Sequence, residues 1–242
     1  MNKRLALRAL IIFAVGGIVM AAVLAGMYVT RPDNTALQEP ESETTLAAPG
    51  SVPIGGDFKL VDHTGQTVTE ADFRGRYLLI YFGFSYCPDV CPTTLNDIAL
   101  ALDQLGPEAE AVQPLFISLD PARDTPDVLA DYVQAFHPRL VGLTGTKAQI
   151  DKVATAYKVF YEKVSPAEYY NQTPDTGDGA PAAETAKTAK DDYMIRHQGN
   201  TYLMSPDGDY IAHFSYGTKP SVMANAMRRA IARFGTPVTE AR

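Results

Sequence analysis

The chain has 242 residues, 46% of them hydrophobic and 20% charged, with a formal net charge of -7 and two cysteines. This is the composition of a globular protein stabilised by a packed core, because one disulfide could not staple so long a chain. The acidic balance argues against the basic face that nucleic-acid binding requires, so no nucleic-acid partner is expected.

Residues 1–8 include Lys3, Arg4 and Arg8, and residues 9–30 then carry no charged side chain. A run of that length is expected to form a transmembrane helix, since a hydrocarbon core of roughly 30 Å takes about 20 apolar residues. A cleaved signal peptide is the alternative, with small residues near Ala25 as its cleavage region. The basic flank orients the N-terminus to the cytoplasm. The expected location is therefore a bacterial inner membrane, single-pass, with everything after Arg31 in the periplasm. Residues 31–55 have the Pro, Thr, Glu, Ser and Ala content of a flexible tether. A single domain is expected over residues 56–234, followed by a polar tail over 235–242.

Within the domain, FKLVDHTGQTV reads as two short strands around a turn at His63–Gly65. The continuous apolar run YLLIYFGF (77–84) suits a strand buried on both faces. Leu95, Ile98, Ala99, Leu102 and Leu105 then recur at helical spacing, and Gly106-Pro107 stops the helix. LFISLD (115–120) is a second buried strand, and Thr125-Pro126-Asp127 starts a helix. RLVGLTG is a third strand, followed by a helix capped by Thr146 with Ile150, Val153, Ala154 and Tyr157 inside. Residues 162–191 show no hydrophobic period and are expected to form a long mobile surface loop. TYLMSPDGDYIAHFSY reads as a hairpin, and a last helix follows Pro220. Strands alternating with helices, closed by a hairpin and a helix, give an α/β fold with a mixed sheet flanked by helices.

The two cysteines fall in FSYCPDVCP (84–92), where the first buried strand meets its helix, the end of a strand at which α/β sheets form their sites. If the helix begins near Cys87, four residues separate the thiols by about 6 Å along the axis and about 40° around it. That lies within disulfide reach and also lets two sulfurs meet on one ion. A helix N-terminus favours the thiolate that either chemistry needs. A disulfide switch and a metal clamp both remain open, beside the blander reading of an inert buried pair. Two prolines, an aspartate and an aromatic rim speak against the inert pair.

A two-sulfur copper site usually recruits imidazole. His63, His137 and His213 read as ordinary hydrogen-bonded or surface histidines. His197 stands apart, between the long loop and the hairpin strand and beside Gln198-Gly199-Asn200. Met194 and Met204 lie near it and read as packing residues.

Several ordered motifs together resemble the Sco/SenC proteins, membrane-anchored copper chaperones that serve cytochrome c oxidase assembly. They are DFKLVDHTGQTVTEADFRGRYLLIYFGFSYCPDVCPTTL (57–95), FISLDPARDTPDVLADYV (116–133), GLTGT (142–146) and DYMIRHQGNTYLMSPDG (192–208). The resemblance implies a thioredoxin-like fold and makes Cys87, Cys91 and His197 the ligands of Cu(I), Cu(II) or both. It implies a Cys87–Cys91 disulfide in the oxidised, empty form. Asp120, Arg123 and Asp124 fall in the second motif and are read as shaping the loop and helix start. Asp89 is a candidate extra oxygen for Cu(II). The implied partner is the copper-bearing subunit of cytochrome c oxidase, with another periplasmic copper chaperone or a thiol reductant upstream.

The alternative function on the same residues is a thiol–disulfide oxidoreductase, with Cys87 attacking and Cys91 resolving, or a redox sensor. Arg196 departs from the family pattern, which has an aspartate before the histidine, and puts a positive charge beside the proposed site. The longer preceding loop suggests that His197 rides on a mobile arm.

Overall fold

A computed structural model describes residues 17, 20–23, 44–172 and 193–235. The chain divides into two units, Met1–Glu41 and Ser42–Arg242. In the first, Gly17 and Met20–Val23 are helical. The rest of the expected span over 9–30 lies outside the described residues. Among those described, no helix is long and apolar enough to cross a membrane.

The second unit is built on a seven-stranded mixed sheet. Its strands are β1 (Lys59–Asp62), β2 (Thr67–Thr69), β3 (Tyr77–Gly83), β4 (Val112–Ser118), β5 (Val141–Thr144), β8 (Thr201–Met204) and β9 (Tyr210–Phe214). They lie in the order β2-β1-β5-β4-β3-β8-β9. A separate two-stranded sheet pairs β6 (Tyr161–Val164) with β7 (Met194–His197). The helices are α1 (Val90–Leu105), α2 (Pro126–Gln134), α3 (Lys147–Ala156), α4 (Pro166–Gln172) and α5 (Pro220–Phe234).

β3 and β4 are parallel, and every residue of both is buried. That is what two continuous apolar runs dictate, because a strand covered on both faces has no polar side to alternate with. On its other side β3 pairs antiparallel with β8, which turns back through Pro206-Asp207-Gly208 into β9. The helices supply the cover: α1 packs on α5, and α2 on β5. Thr125 accepts a hydrogen bond from Val128 N as the cap of α2, and Thr146 caps α3 through a capping box with Gln149.

Three segments differ from the sequence reading. Residues 44–55, read as the end of a tether, run along the domain. Leu46, Val52 and Ile54 pack against the core, and Ala47 N donates to Ile211 O at 2.8 Å. Residues 161–172, mostly read as loop, form β6 and α4. Their few apolar side chains, Tyr161, Val164 and Tyr169, are spaced to touch the core once β6 pairs with β7. Residues 173–192 lie outside the described residues. Finally, α1 begins at Val90 with Asp89 as its N-cap, so Cys87 precedes the helix. Pro88 is the reason, because the residue before a proline is driven away from helical backbone.

Candidate metal centre

The site forms where β3 ends. Phe84 to Asp89 turn away from the sheet, and α1 brings Cys91 back over the strand end in its first turn. Gly83 makes this possible: a Cβ there would stand 2.8 Å from Cys91 Sγ and 2.9 Å from Phe116 Cε2. The turn is held from below by Asp124. Its buried carboxylate accepts hydrogen bonds from Ser85 N (3.0 Å), Ser85 Oγ (2.5 Å) and Ser118 Oγ (2.5 Å). Burial pushes the Asp124 carboxyl up, and the hydroxyl and amide donors only partly offset that.

Both cysteines are free thiols, and both are buried, Cys87 at 5% exposure and Cys91 at 0%. The two are chemically unequal. Cys91 N donates to Cys87 Sγ at 3.4 Å, at the start of a helix whose dipole favours negative charge. The Cys91 thiol, that amide, the Asp89 amide and the Tyr169 hydroxyl all stabilise a Cys87 thiolate and hold its pKa well below the ordinary thiol value. Burial, and then the neighbouring Cys87, push Cys91 the other way. Tyr81 Oη donates to Cys91 Sγ at 3.6 Å.

β7 ends at His197, and its imidazole reaches the pair. His197 Nε2 lies 3.8 Å from Cys91 Sγ. The ring packs edge-on against Phe84 and Tyr81, with centroids 6.1 and 6.3 Å away. Nδ1 lies 2.9 Å from Gln198 O, and a carbonyl can only accept, so Nδ1 carries the proton. Nε2 is then the lone-pair nitrogen facing the sulfurs, which is how a metal-binding histidine is usually oriented. Burial lowers the imidazole pKa, with the Gln198 hydrogen bond partly opposing, and this favours the neutral form that can ligate. A sulfur and a nitrogen sharing one ion at bond lengths of about 2.3 and 2.0 Å stand roughly 3.5–4 Å apart, so the 3.8 Å spacing fits. Among the described residues, no three His, Cys, Asp or Glu side chains form a ready-made cage. The donors are neighbours that an ion would have to draw in.

The other candidates sort by position. The exposed Asp89 carboxylate accepts from Thr93 Oγ1 at 3.4 Å, on the solvent side of the helix start. His63 accepts from Gly142 N, His137 from Arg139 N, and His213 pairs with Tyr210, so each has a structural hydrogen bond. Met194 and Met204 are core residues. Arg196 forms ion pairs with Glu162 at 2.7 Å and Glu168 at 3.4 Å, which neutralise its charge at the surface. Tyr169 was invisible in the sequence reading because its segment carries no motif.

The SCO1/SenC family model matches residues 47–177 and 180–232. The chain belongs to the SCO1/SenC family. It is 37% identical over 216 residues to human "Protein SCO1 homolog, mitochondrial", covering 88% of this chain and 62% of that protein. ScoI of Bradyrhizobium japonicum, solved with copper bound, is 38% identical with a TM-score of 0.60, covering 73% of this chain and 98% of that one. ScoI of Arabidopsis thaliana, also solved with copper bound, is 32% identical with a TM-score of 0.62, covering 74% and 99%. In this SCO1/SenC chain the sheet and helices described above are thus the thioredoxin-like fold of the family.

The β4–α2 loop of this family member carries Asp120, Arg123 and Asp124. Asp120 is fully buried and accepts from Tyr193 Oη at 2.6 Å and from Arg123 Nε. None of the three reaches the sulfurs directly. They grip the two limbs that do, Ser85 on the cysteine side and Tyr193 on the histidine side.

Proposed function

We propose that this protein is a membrane-anchored periplasmic chaperone that binds copper through Cys87, Cys91 and His197 and delivers it to cytochrome c oxidase during assembly. The observation that carries the reading is the imidazole of His197, its Nδ1 proton committed to Gln198 and its Nε2 turned to Cys91 Sγ at 3.8 Å. Two thiols and one neutral imidazole form a soft, low-coordinate donor set that suits Cu(I). The two copper-bound ScoI relatives and the family match support the choice of metal. The uncharged run over 9–30 behind Lys3, Arg4 and Arg8 supports the anchor and its orientation. The oxidase as acceptor rests on the family resemblance.

The chemistry follows from the unequal thiols. Cys87 gives up its proton first and offers the initial thiolate. Cys91 and His197 then close on the ion, and the Cys91 proton leaves to solvent. Burial keeps water from competing for the ion and shields both sulfurs from oxidation. Release requires a partner to supply replacement ligands through the Cys87 side, since Cys91 has no exposed surface. If the pair is oxidised, a dithiol reductant must deliver two electrons and two protons before metal can enter.

A second reading is favoured by the same asymmetry. A low-pKa Cys87 beside a high-pKa Cys91 is what a thiol–disulfide oxidoreductase uses to attack and then resolve. His197 separates the two. Reduced protein titrated with Cu(I) in the absence of oxygen is expected to bind one equivalent, and His197→Ala to bind at least tenfold more weakly while exchanging thiols as before. Full copper affinity in His197→Ala would reject the three-donor site. In cells lacking the protein, oxidase activity recovered by added copper supports delivery, and no recovery supports reductase function.

A further inference from the structure

Arg123 lies between the two limbs of the site. Its guanidinium carbon stands 3.8 Å from the ring centre of Tyr193 and 4.7 Å from that of Tyr86. Tyr86 immediately precedes Cys87, and Tyr193 leads into β7, four residues before His197. Arg123 Nη1 donates to Tyr193 O at 3.1 Å, and Nε donates to Asp120, whose other oxygen holds Tyr193 Oη. Nη2 is buried with no hydrogen-bond partner, so the guanidinium charge is compensated by the Asp120 carboxylate and by the two ring faces. The stack continues outward, with Lys163 Nζ 3.8 Å from the centre of Tyr193. Among the described residues the ladder bonds of β7 go to β6, in a sheet separate from the main one, so β-ladder bonds do not fix its distance from the cysteine turn. Core packing of Met194 and Ile195 and the short link to β8 hold β7 to the domain, and Arg123 adds a connection to the cysteine turn itself.

We propose that Arg123 is a positioning residue that clamps the histidine strand to the cysteine turn through Tyr193 and Tyr86, and so sets the reach of His197 toward Cys91. It touches none of the three donors. Its effect passes chiefly through His197, because the cysteine turn has a second anchor in Asp124, whereas no ladder bond ties β7 to the main sheet. The metal arm of the test below rests on the copper reading above; the first arm does not.

In the reduced, copper-free full-length chain, carbethoxylation by diethyl pyrocarbonate is read at each histidine by peptide mass spectrometry. Arg123→Met is expected to raise the rate at His197 about tenfold, with Tyr86→Ala and Tyr193→Phe raising it less, and with His63 and His137 unchanged. Tyr86 is 60% exposed, so its truncation spares the core and keeps the test valid if Arg123→Met does not fold. In the second arm, Arg123→Met is expected to weaken Cu(I) binding by no more than His197→Ala does, and to add little in the His197→Ala background. Unchanged His197 reactivity in every variant that folds overturns the clamp, as does a rise shared equally by His63 and His137. An undiminished effect of Arg123→Met on copper in the His197→Ala background also overturns it. Copper affinity that survives His197→Ala rejects the copper site instead, and the reactivity arm then judges the clamp on its own.

Discussion

Cys87 and Cys91 differ in what surrounds each sulfur. Cys87 faces amide and hydroxyl donors that stabilise negative charge, whereas Cys91 is enclosed by Tyr81 and the end of β3. The sign is direct: a lowered thiol pKa means more thiolate at a given pH. Alkylation of Cys87 by iodoacetamide should therefore rise with a midpoint below that of a free thiol, with Cys91 unreactive over the same range. Tyr169→Phe removes one of the donors and should move that midpoint upward; a midpoint that stays put or falls would show that the hydroxyl does not act on Cys87. The same shift contributes to stability. A depressed folded pKa stabilises the fold above the unfolded thiol value, and that contribution is lost as pH falls through the folded one. None of this asymmetry can be read from two cysteines four positions apart. The sequence did hold one clue to it, Pro88, which keeps Cys87 out of the helix and in the turn where amides can reach it.

The elements around the site depend on close approach. β3 can receive α1 on its end only because Gly83 has no side chain, so Gly83→Ala should displace Cys91 and cost about 1–3 kcal/mol, the usual cost of overpacking a core. Chemical denaturation measures this, and an unchanged midpoint with unchanged m-value would contradict it. Arg196 offers a contrast. Its two ion pairs lie at the surface, where each is worth about 0–1 kcal/mol, so Arg196→Ala should alter stability by no more than about 2 kcal/mol. Copper affinity should change by less than the loss seen with His197→Ala; an equal loss would mean that Arg196 governs the site. The long elements were legible because β3 and β4 are unbroken apolar runs and α2 and α3 carry Thr caps. β6 and α4 were not. Four and seven residues with three core-facing side chains give no period, and only pairing with β7 brings them into the fold.

The molecule divides its labour between two sheets. The large one, with α1 on the end of β3, positions Cys91, and the small one carries His197. A ligand bound by both should stabilise their union. Copper at a hundredfold excess over its Kd should add about 2.7 kcal/mol, and in a domain of this size roughly 5–10 °C to the unfolding midpoint. That gain should fall sharply in His197→Ala, and calorimetry showing an equal gain in both would place the metal elsewhere. The family motifs point to Cys87, Cys91 and His197 together, residues whose distance in sequence hides the contact that the fold makes. The most direct measurement is X-ray absorption at the copper edge of the Cu(I)-loaded protein. It should fit two sulfurs and one imidazole nitrogen, reduced to sulfur ligation without imidazole in His197→Ala. A wild-type spectrum that needs no imidazole, or one that His197→Ala leaves unchanged, would contradict the proposed site.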